Sequence, residues 1–157
     1  MNFTTIQKEH RKWSLKNFPN QQAHHCLLGM IEEVGELAHA HLKMEQGIRM
    51  NEDHLAGRAD AIADTVLYLI GHCNYHGVDI GEAGNVKFEW DLLSSILSLP
   101  RLVHKLCVGG TDNIKEHAIA LISELNLIAY NTGVDFEKNL IDTWAKVKQR
   151  DWTQTCI

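Results

Sequence analysis

Two segments combine closely spaced acidic residues with helix-forming, largely apolar sequence. They are MIEEVGELAHA (30–40) and RADAIADTVLYLIG (58–71), and their acidic residues are Glu32, Glu33, Glu36, Asp60 and Asp64. An ionised carboxylate on a helix that is apolar on nearly every side is costly unless a partner compensates its charge. The question is therefore which group compensates the charge of these carboxylates.

The two aspartates are predicted to face the protein interior. At about 100° per residue, Asp60, Asp64, Leu67 and Gly71 form one column along their helix. The downstream part of this column is apolar, whereas a solvated charged face would continue with polar residues.

The position of the glutamates is less determined by the sequence. Glu33 and Glu36 share a helix face, and Glu32 lies at its edge. The predicted apolar stripe of this helix consists of Leu27, Ile31, Val34, Ala38 and Leu42. Because the glutamates lie largely opposite this stripe, the helix alone is also consistent with a solvated acidic face. Carboxylates facing each other across two antiparallel helices repel, and a hard cation such as Mg²⁺ relieves that repulsion. We therefore predict a divalent cation shared by the two segments.

These motifs resemble a known family. Glu-Glu-x-x-Glu-Leu, followed by a second helix with Asp-x-x-x-Tyr-Leu, is similar to the MazG-like all-α nucleoside triphosphate pyrophosphohydrolases, relatives of the dimeric dUTPases. The matching residues are Glu32, Glu33, Glu36, Leu37, Asp64, Tyr68 and Leu69. NVKF (85–88) and WAKVKQRDW (144–152) extend the resemblance over most of the chain. Where the family usually has a glutamate three residues before the aspartate, this chain has Ala61, and Asp60 is the expected substitute.

The resemblance implies hydrolysis of a nucleoside triphosphate to the monophosphate and pyrophosphate. It implies Mg²⁺ as the cofactor, with Mn²⁺ as a possible substitute, bound by Glu33, Glu36, Asp60 and Asp64. The cations would neutralise charge on the leaving pyrophosphate and lower the pKa of the attacking water. Glu32, adjacent to the ligands and turned away from them, is the implied general base.

Substrate contacts are predicted for five further residues. Lys87, Lys146 and Arg150 are candidates for binding phosphate oxygens. The alternative for each is an exposed cation at a helix end. Trp13 is a candidate for stacking on the nucleobase and Asn17 for reading its edge. The alternative for Trp13 is packing of the first helix against the bundle.

The sequence predicts an all-α protein, a single domain over 1–157. Few turn clusters and only two prolines favour a bundle of about six helices. Five of the predicted ranges are 3–16, 20–46, 52–75, 113–131 and 135–150. The other helix, fourth in the chain, is predicted to begin after Asp79 and to break or re-angle near 91. Pro100 is predicted to bend or interrupt it before it ends at 108. A helix stop is expected near Gly47, and Gly77 and Gly133 are predicted left-handed stops. Asp79 and Asp135 are predicted caps, the former with Glu82 in a capping box.

An internal duplication is also predicted. Segment 26–43 aligns loosely with 91–108, and 69–90 aligns with 125–147. The acid-bearing hairpin would be 20–76, and 91–131 would be an acid-poor pseudo-repeat that binds no metal. The alternative is that any two amphipathic hairpins align this well.

The composition of the chain limits the classes of partner and the cellular compartment that we expect. A net charge of −5 and a pI near 6.0 argue against nucleic-acid binding. The four cysteines form no CxxC pair, which is typical of free thiols in a reducing compartment. No apolar run reaches the length of a membrane span, so a cytoplasmic protein without membrane contact is expected. A homodimer is possible, and the alternative function is a catalytically weak or inactive nucleotide-binding or assembly module.

Overall fold

The computed structural model describes residues 1–83 and 91–154, and this part of the chain is an all-α bundle, as predicted. An isolated antiparallel bridge joins Asn2 to Glu82. The six helices are α1 (Thr4–Asn17), α2 (Ala23–Glu45), α3 (His54–Tyr75), α4 (Leu92–Val108), α5 (Ile114–Asn131) and α6 (Phe136–Val147). In the described ranges, no helix is both long and apolar enough to cross a membrane.

Helix α3 is the centre of the bundle. It packs most extensively against α2 and also contacts α1, α5 and α6. Its residues are apolar on nearly every side, and twelve of them are buried. A helix of this composition is stable only when neighbouring helices cover it, so the sequence of α3 accounts for its central position.

The predicted apolar stripe of α2 is largely wrong. Of its members only Val34 is buried, whereas Ile31, Ala38 and Leu42 are exposed. The buried face instead consists of Cys26, Gly29, Met30, Val34, Leu37, Ala40 and His41. Gly29, Cys26 and Ala40 on this face lie close to α3, at Tyr68, Gly71 and Gly57 respectively. Glu33 lies at the α2–α3 contact, where it lines a cavity with Asp64.

Several predicted helix ends are confirmed. Gly77 and Gly133 have φ values of +69° and +74°, the left-handed conformation that favours glycine after a helix. Asp135 caps α6 by accepting a 3.0 Å hydrogen bond from the backbone N–H of Lys138. Helix α6 ends at Val147, three residues before the predicted end, and a short 3₁₀ turn follows at Trp152–Gln154.

The predicted start of a helix at Asp79 is wrong. Its carboxylate accepts from the N–H of Gly81 in a local turn, and residues 79–83 are not helical. This segment instead pairs with the N-terminus, where the N–H of Phe3 donates to the carbonyl of Gly81 at 2.9 Å. The rest of the predicted helix up to residue 90 lies outside the described residues.

Helix α4 is continuous through Pro100. Of the two effects predicted for this proline, a bend or an interruption, the interruption is wrong, and the bend stays a prediction. Asp91 caps its start by accepting from the N–H of Ser94 at 2.9 Å. Proline removes one backbone donor from the helix, and Pro100 is exposed. Helix α4 packs on α2 and on α5, and α3 contacts α5.

The single-domain organisation and the internal duplication stay predictions. Superposition of the two hairpins would test the duplication.

Candidate active site

A cavity of about 700 Å³ opens between α1, α2, α3 and the C-terminal segment. Asp64, Leu67 and Gly71, from the column predicted on α3, all line it. The remaining wall is rich in aromatic rings. Its aromatic and charged lining residues are Trp13, Phe18, Tyr68, Trp152, Glu33, Asp64 and Arg150. One cavity therefore contains an acidic pair, a cation and a large apolar surface.

The acidic wall is formed by one residue from each helix of the α2–α3 pair. The pKa of Glu33 is raised to about 8, mainly by burial and also by the negative charges of Asp64, Glu36, Glu32 and Asp60. Burial is also the main reason that the pKa of Asp64 is raised to about 6. The charges of Asp60 and Glu36 act in the same direction, whereas the nearby Arg150 guanidinium lowers this pKa.

These shifts describe a cluster of carboxylates that repel one another at neutral pH. With its pKa near 8, Glu33 holds a proton at pH 7, while Asp64 is mostly ionised. A divalent cation would displace that proton and compensate both charges, and carboxylate oxygens are the donors that Mg²⁺ prefers. In residues 1–83 and 91–154, however, no three acidic, histidine or cysteine side chains converge closely enough to hold a metal ion. The donor chemistry of Glu33 and Asp64 nevertheless fits a hard cation.

The other predicted acidic residues lie around the cavity rather than in its lining. Glu32, Glu36 and Asp60 are exposed. Their charges nevertheless raise the pKa of Glu33, so they lie in its electrostatic neighbourhood. Ala61, at the position where the family usually has glutamate, is 1% exposed and belongs to the hydrophobic core. A glutamate at position 61 would place a further charge in the core. The neighbouring Asp60 is exposed, so its charge stays in contact with solvent.

Trp13 combines the two roles considered for it. Its ring packs edge-on against Phe18 and Trp144, with centroid distances of 5.6 and 5.8 Å, and thereby joins α1 to α6. It also lines the cavity, and its indole N–H donates to the carbonyl of Arg150 at 3.1 Å. An aromatic wall fixed in this way is suited to stacking on a planar ligand.

Asn17 secures the C-terminal segment to α1. Its amide donates to the carbonyl of Trp13 at 2.9 Å and accepts from the N–H of Trp152 at 2.7 Å. Lys16 adds an ion pair with Asp151 at 2.9 Å. Asn17 does not line the cavity, and these contacts instead hold Arg150 and Trp152 at its wall.

The remaining predicted cations differ in position. Arg150 lines the cavity beside Asp64, as its effect on the pKa of that carboxyl also indicates. Lys146 is exposed on α6 and does not line the cavity. Lys87, with the rest of the NVKF segment, lies outside the described residues.

His10 lines the cavity and was missed by the sequence analysis. It is 6% exposed, and burial lowers its pKa to about 4, so the ring is neutral. Its Nδ1 atom has no hydrogen-bond partner among the described residues. Its position follows a helical pattern, because Ile6, His10, Ser14 and Asn17 recur every three or four residues along α1, and the structure buries all four.

The close contact between Gly29 and Tyr68 was also missed. A Cβ atom at Gly29 would lie 2.4 Å from the Tyr68 ring, which lines the cavity beside Glu33. Gly29→Ala is therefore expected to destabilise the fold by about 1–3 kcal/mol through overpacking. The matched control is Gly57→Ala, where the nearest atom would be at an ordinary 3.7 Å. That control should stabilise α3 by up to about 1 kcal/mol. Urea unfolding measures both, and equal effects would contradict the tight α2–α3 contact.

Comparison with known proteins does not identify the chain. No protein-family model matches it, and no curated protein or solved structure is significantly similar to it. The resemblance to MazG-like enzymes therefore rests on sequence motifs alone, chiefly the two acidic ones.

Proposed function

We propose that this protein is a Mg²⁺-dependent nucleoside triphosphate pyrophosphohydrolase that acts in nucleotide-pool housecleaning. The observation that supports this best is the cavity, in which Glu33, Asp64 and Arg150 share one lining with four aromatic side chains. Such a lining offers charged groups for a triphosphate with its cations and an apolar surface for a base.

The free cysteines Cys26, Cys73 and Cys107 fit a reducing compartment, and we propose the cytoplasm.

The aromatic side chains of the cavity are proposed to bind the nucleobase. Trp13 is held by Phe18 and Trp144 and would offer a stacking surface without further ordering. Neutral His10 also lies in the cavity wall and would add an uncharged ring to this surface. The base preference would follow from which edge complements these groups.

The charged side chains of the cavity are proposed to bind the triphosphate. Glu33 and Asp64 would hold Mg²⁺, with Glu36 and Asp60 as the outer ligands. Bound Mg²⁺ would neutralise the charge that develops on the leaving pyrophosphate and favour ionisation of the attacking water. The Arg150 guanidinium would donate hydrogen bonds to phosphate oxygens. Glu32, next to Glu33 and exposed to water, would take up the proton as general base.

The second candidate is a nucleotide-binding or assembly module with weak or no catalysis. The observation that favours it is Ala61, a core residue at the position where the family usually has a metal-ligating glutamate. The aromatic wall would be retained in such a module. The carboxylates would then lack the ligand set needed for tight cation binding.

A cation titration followed by thermal unfolding distinguishes the two candidates. If the carboxylates bind the cation, Mg²⁺ at about 100 times its dissociation constant should stabilise the fold by about 2.7 kcal/mol. For a chain of this size, that corresponds to an increase in Tm of about 5–10 °C. Asp64→Asn should abolish the increase. An unchanged Tm with both Mg²⁺ and Mn²⁺ would contradict the enzyme and favour the binding module.

A further inference from the structure

Two histidines lie one above the other at the C-terminal end of α3, about two turns beyond Asp64. They are His72 and His76, and their ring centroids are 4.7 Å apart. The N–H of His76 donates to the carbonyl of His72 at 3.2 Å, so the helical turn between them is complete. Of the ten histidines in the sequence, only these two are four residues apart, and no two are three apart. They are therefore the histidine pair that successive helical turns place on one face.

His72 is the buried member of the pair. It is 2% exposed, and neither of its ring nitrogens has a hydrogen-bond partner in residues 1–83 and 91–154. Burial and the neighbouring His76 lower the pKa of His72, and the nearby Ala23 backbone raises it. That backbone nevertheless forms no hydrogen bond of ordinary geometry with the ring. A buried polar group without a partner is costly, and a bound ion is one of the ways in which proteins satisfy it.

The separation of the two rings is the one that a shared metal ion requires. Zinc binds an imidazole nitrogen at about 2.0–2.1 Å, which places the ring centroid about 3.2 Å from the metal. Two rings bound at a metal angle of about 90–110° then have centroids about 4.5–5.2 Å apart. The observed 4.7 Å lies within this interval. Rotation of the rings about their Cβ–Cγ bonds could therefore direct one nitrogen of each histidine at the same ion without movement of the helix.

The pair is reached from solvent through His76. This residue is half-buried and caps the end of α3, immediately before the left-handed Gly77. Helix ends open locally at a low cost in free energy, unlike the middle of a buried helix. A cation can therefore bind His76 first and reach the buried His72 ring without unfolding the bundle.

The donor atoms select the kind of metal. Imidazole nitrogen suits Zn²⁺, Cu²⁺ and Ni²⁺, whereas Mg²⁺ prefers oxygen. Within the described ranges, no third histidine, cysteine or acidic side chain completes a cluster, so water would occupy the remaining coordination positions. A site with two protein ligands binds its metal more weakly than a structural zinc site with four. The histidine pair is thus suited to an exchangeable transition metal and not to the cation of the candidate active site.

Another close pair of histidine rings lacks these features. His24 and His25 have centroids 4.4 Å apart, but they are adjacent in sequence and both are exposed. The Nδ1 atom of His25 already accepts a hydrogen bond from the N–H of Gln22 at 3.2 Å. This pair therefore provides a matched control.

We propose that His72 and His76 form a binding site for a divalent transition metal, with Zn²⁺ as the expected ion. Bound metal would join the last two turns of α3, next to Gly71 in the cavity wall. The proposal does not depend on the proposed function.

Isothermal titration calorimetry with Zn²⁺ in excess Mg²⁺ tests the site. The background is Cys107→Ser, which removes an exposed thiol three residues from His104. We expect one Zn²⁺ per chain, with a dissociation constant of about 1–100 µM. His76→Ala should raise this constant at least about tenfold, an effect reached even by groups that only orient a ligand. The control His24→Ala should leave it unchanged. No zinc binding, or equal effects of the two substitutions, would overturn the proposal.

Asp64→Asn separates the histidine pair from the carboxylates of the candidate active site. Zinc bound by His72 and His76 should keep its affinity in this variant. Loss of zinc binding in Asp64→Asn, with binding retained in His76→Ala, would place the ion at the carboxylates and overturn the proposal.

Nuclear magnetic resonance of the histidine rings identifies the ligands in the unsubstituted chain. Zn²⁺ should shift the imidazole signals of His72 and His76 at the lowest metal concentrations. The signals of His104 and His117, on α4 and α5, should stay unchanged there. Shifts confined to histidines other than His72 and His76 would contradict the site.

Discussion

Replacing Asp64 by asparagine is expected to lower the rate of pyrophosphate release by about a hundredfold to a thousandfold, the usual effect of losing one group that stabilises developing charge. Asp64 lines the cavity together with Glu33 and Arg150. Asparagine keeps the size of the side chain but lacks the charge that a cation needs. The rate should be measured at saturating Mg²⁺ with the best nucleotide substrate.

The fold should tolerate this substitution. The raised pKa of Asp64, about 6, means that its charge is unfavourable in the cation-free protein. Asp64→Asn is therefore expected to unfold at the same or a higher urea concentration than the wild type in EDTA. The control is Asp112→Asn, an exposed aspartate that does not line the cavity and should leave the rate unchanged. Full activity in Asp64→Asn would remove this residue from the site.

The second large effect is expected in the pH dependence of stability without divalent cations. The pKa of Glu33 rises from 4.5 to about 8 on folding, and that of Asp64 rises from 3.8 to about 6. Folded protein therefore holds these protons more tightly than unfolded protein does. The stabilisation is fully present below about pH 4 and is lost as the pH rises to about 8. With allowance for solvent screening, we expect a loss of about 2 kcal/mol.

Urea unfolding in EDTA at pH 5 and pH 8 measures this loss. Glu33→Gln should remove most of it, because glutamine is uncharged at both pH values. Glu116→Gln, an exposed glutamate that does not line the cavity, should keep the wild-type difference. Mg²⁺ at pH 8 should restore stability to the wild type and not to Glu33→Gln. An identical pH dependence in wild type and Glu33→Gln would contradict the repelling cluster.

The helices and several of their ends could be predicted because their signals are local. Gly77 and Gly133 end helices, and Asp135 caps one, through contacts within a few residues. Asp79 has the same local signal, yet its segment pairs with the N-terminus, a contact between distant parts of the chain. A capping pattern predicts a helix only where no such pairing competes.

The candidate site was predictable to the extent that it follows one helix face. The column on α3 placed Asp64, Leu67 and Gly71 together, and all three line the cavity. On α2, apolar residues lie on two faces of the helix, and Ile31, a member of the predicted buried stripe, is 59% exposed. The hydrogen bond of Asn17 to the backbone N–H of Trp152 depends on tertiary structure, which spacing along the chain does not encode.

The most direct test of the proposed function is to identify the products formed from a panel of common and damaged nucleoside triphosphates with Mg²⁺. The proposal predicts that at least one is converted to its monophosphate and pyrophosphate in equal amounts. This conversion should stop on addition of EDTA and in Asp64→Asn. No product from any nucleotide, or release of orthophosphate and a diphosphate instead, would contradict a pyrophosphohydrolase.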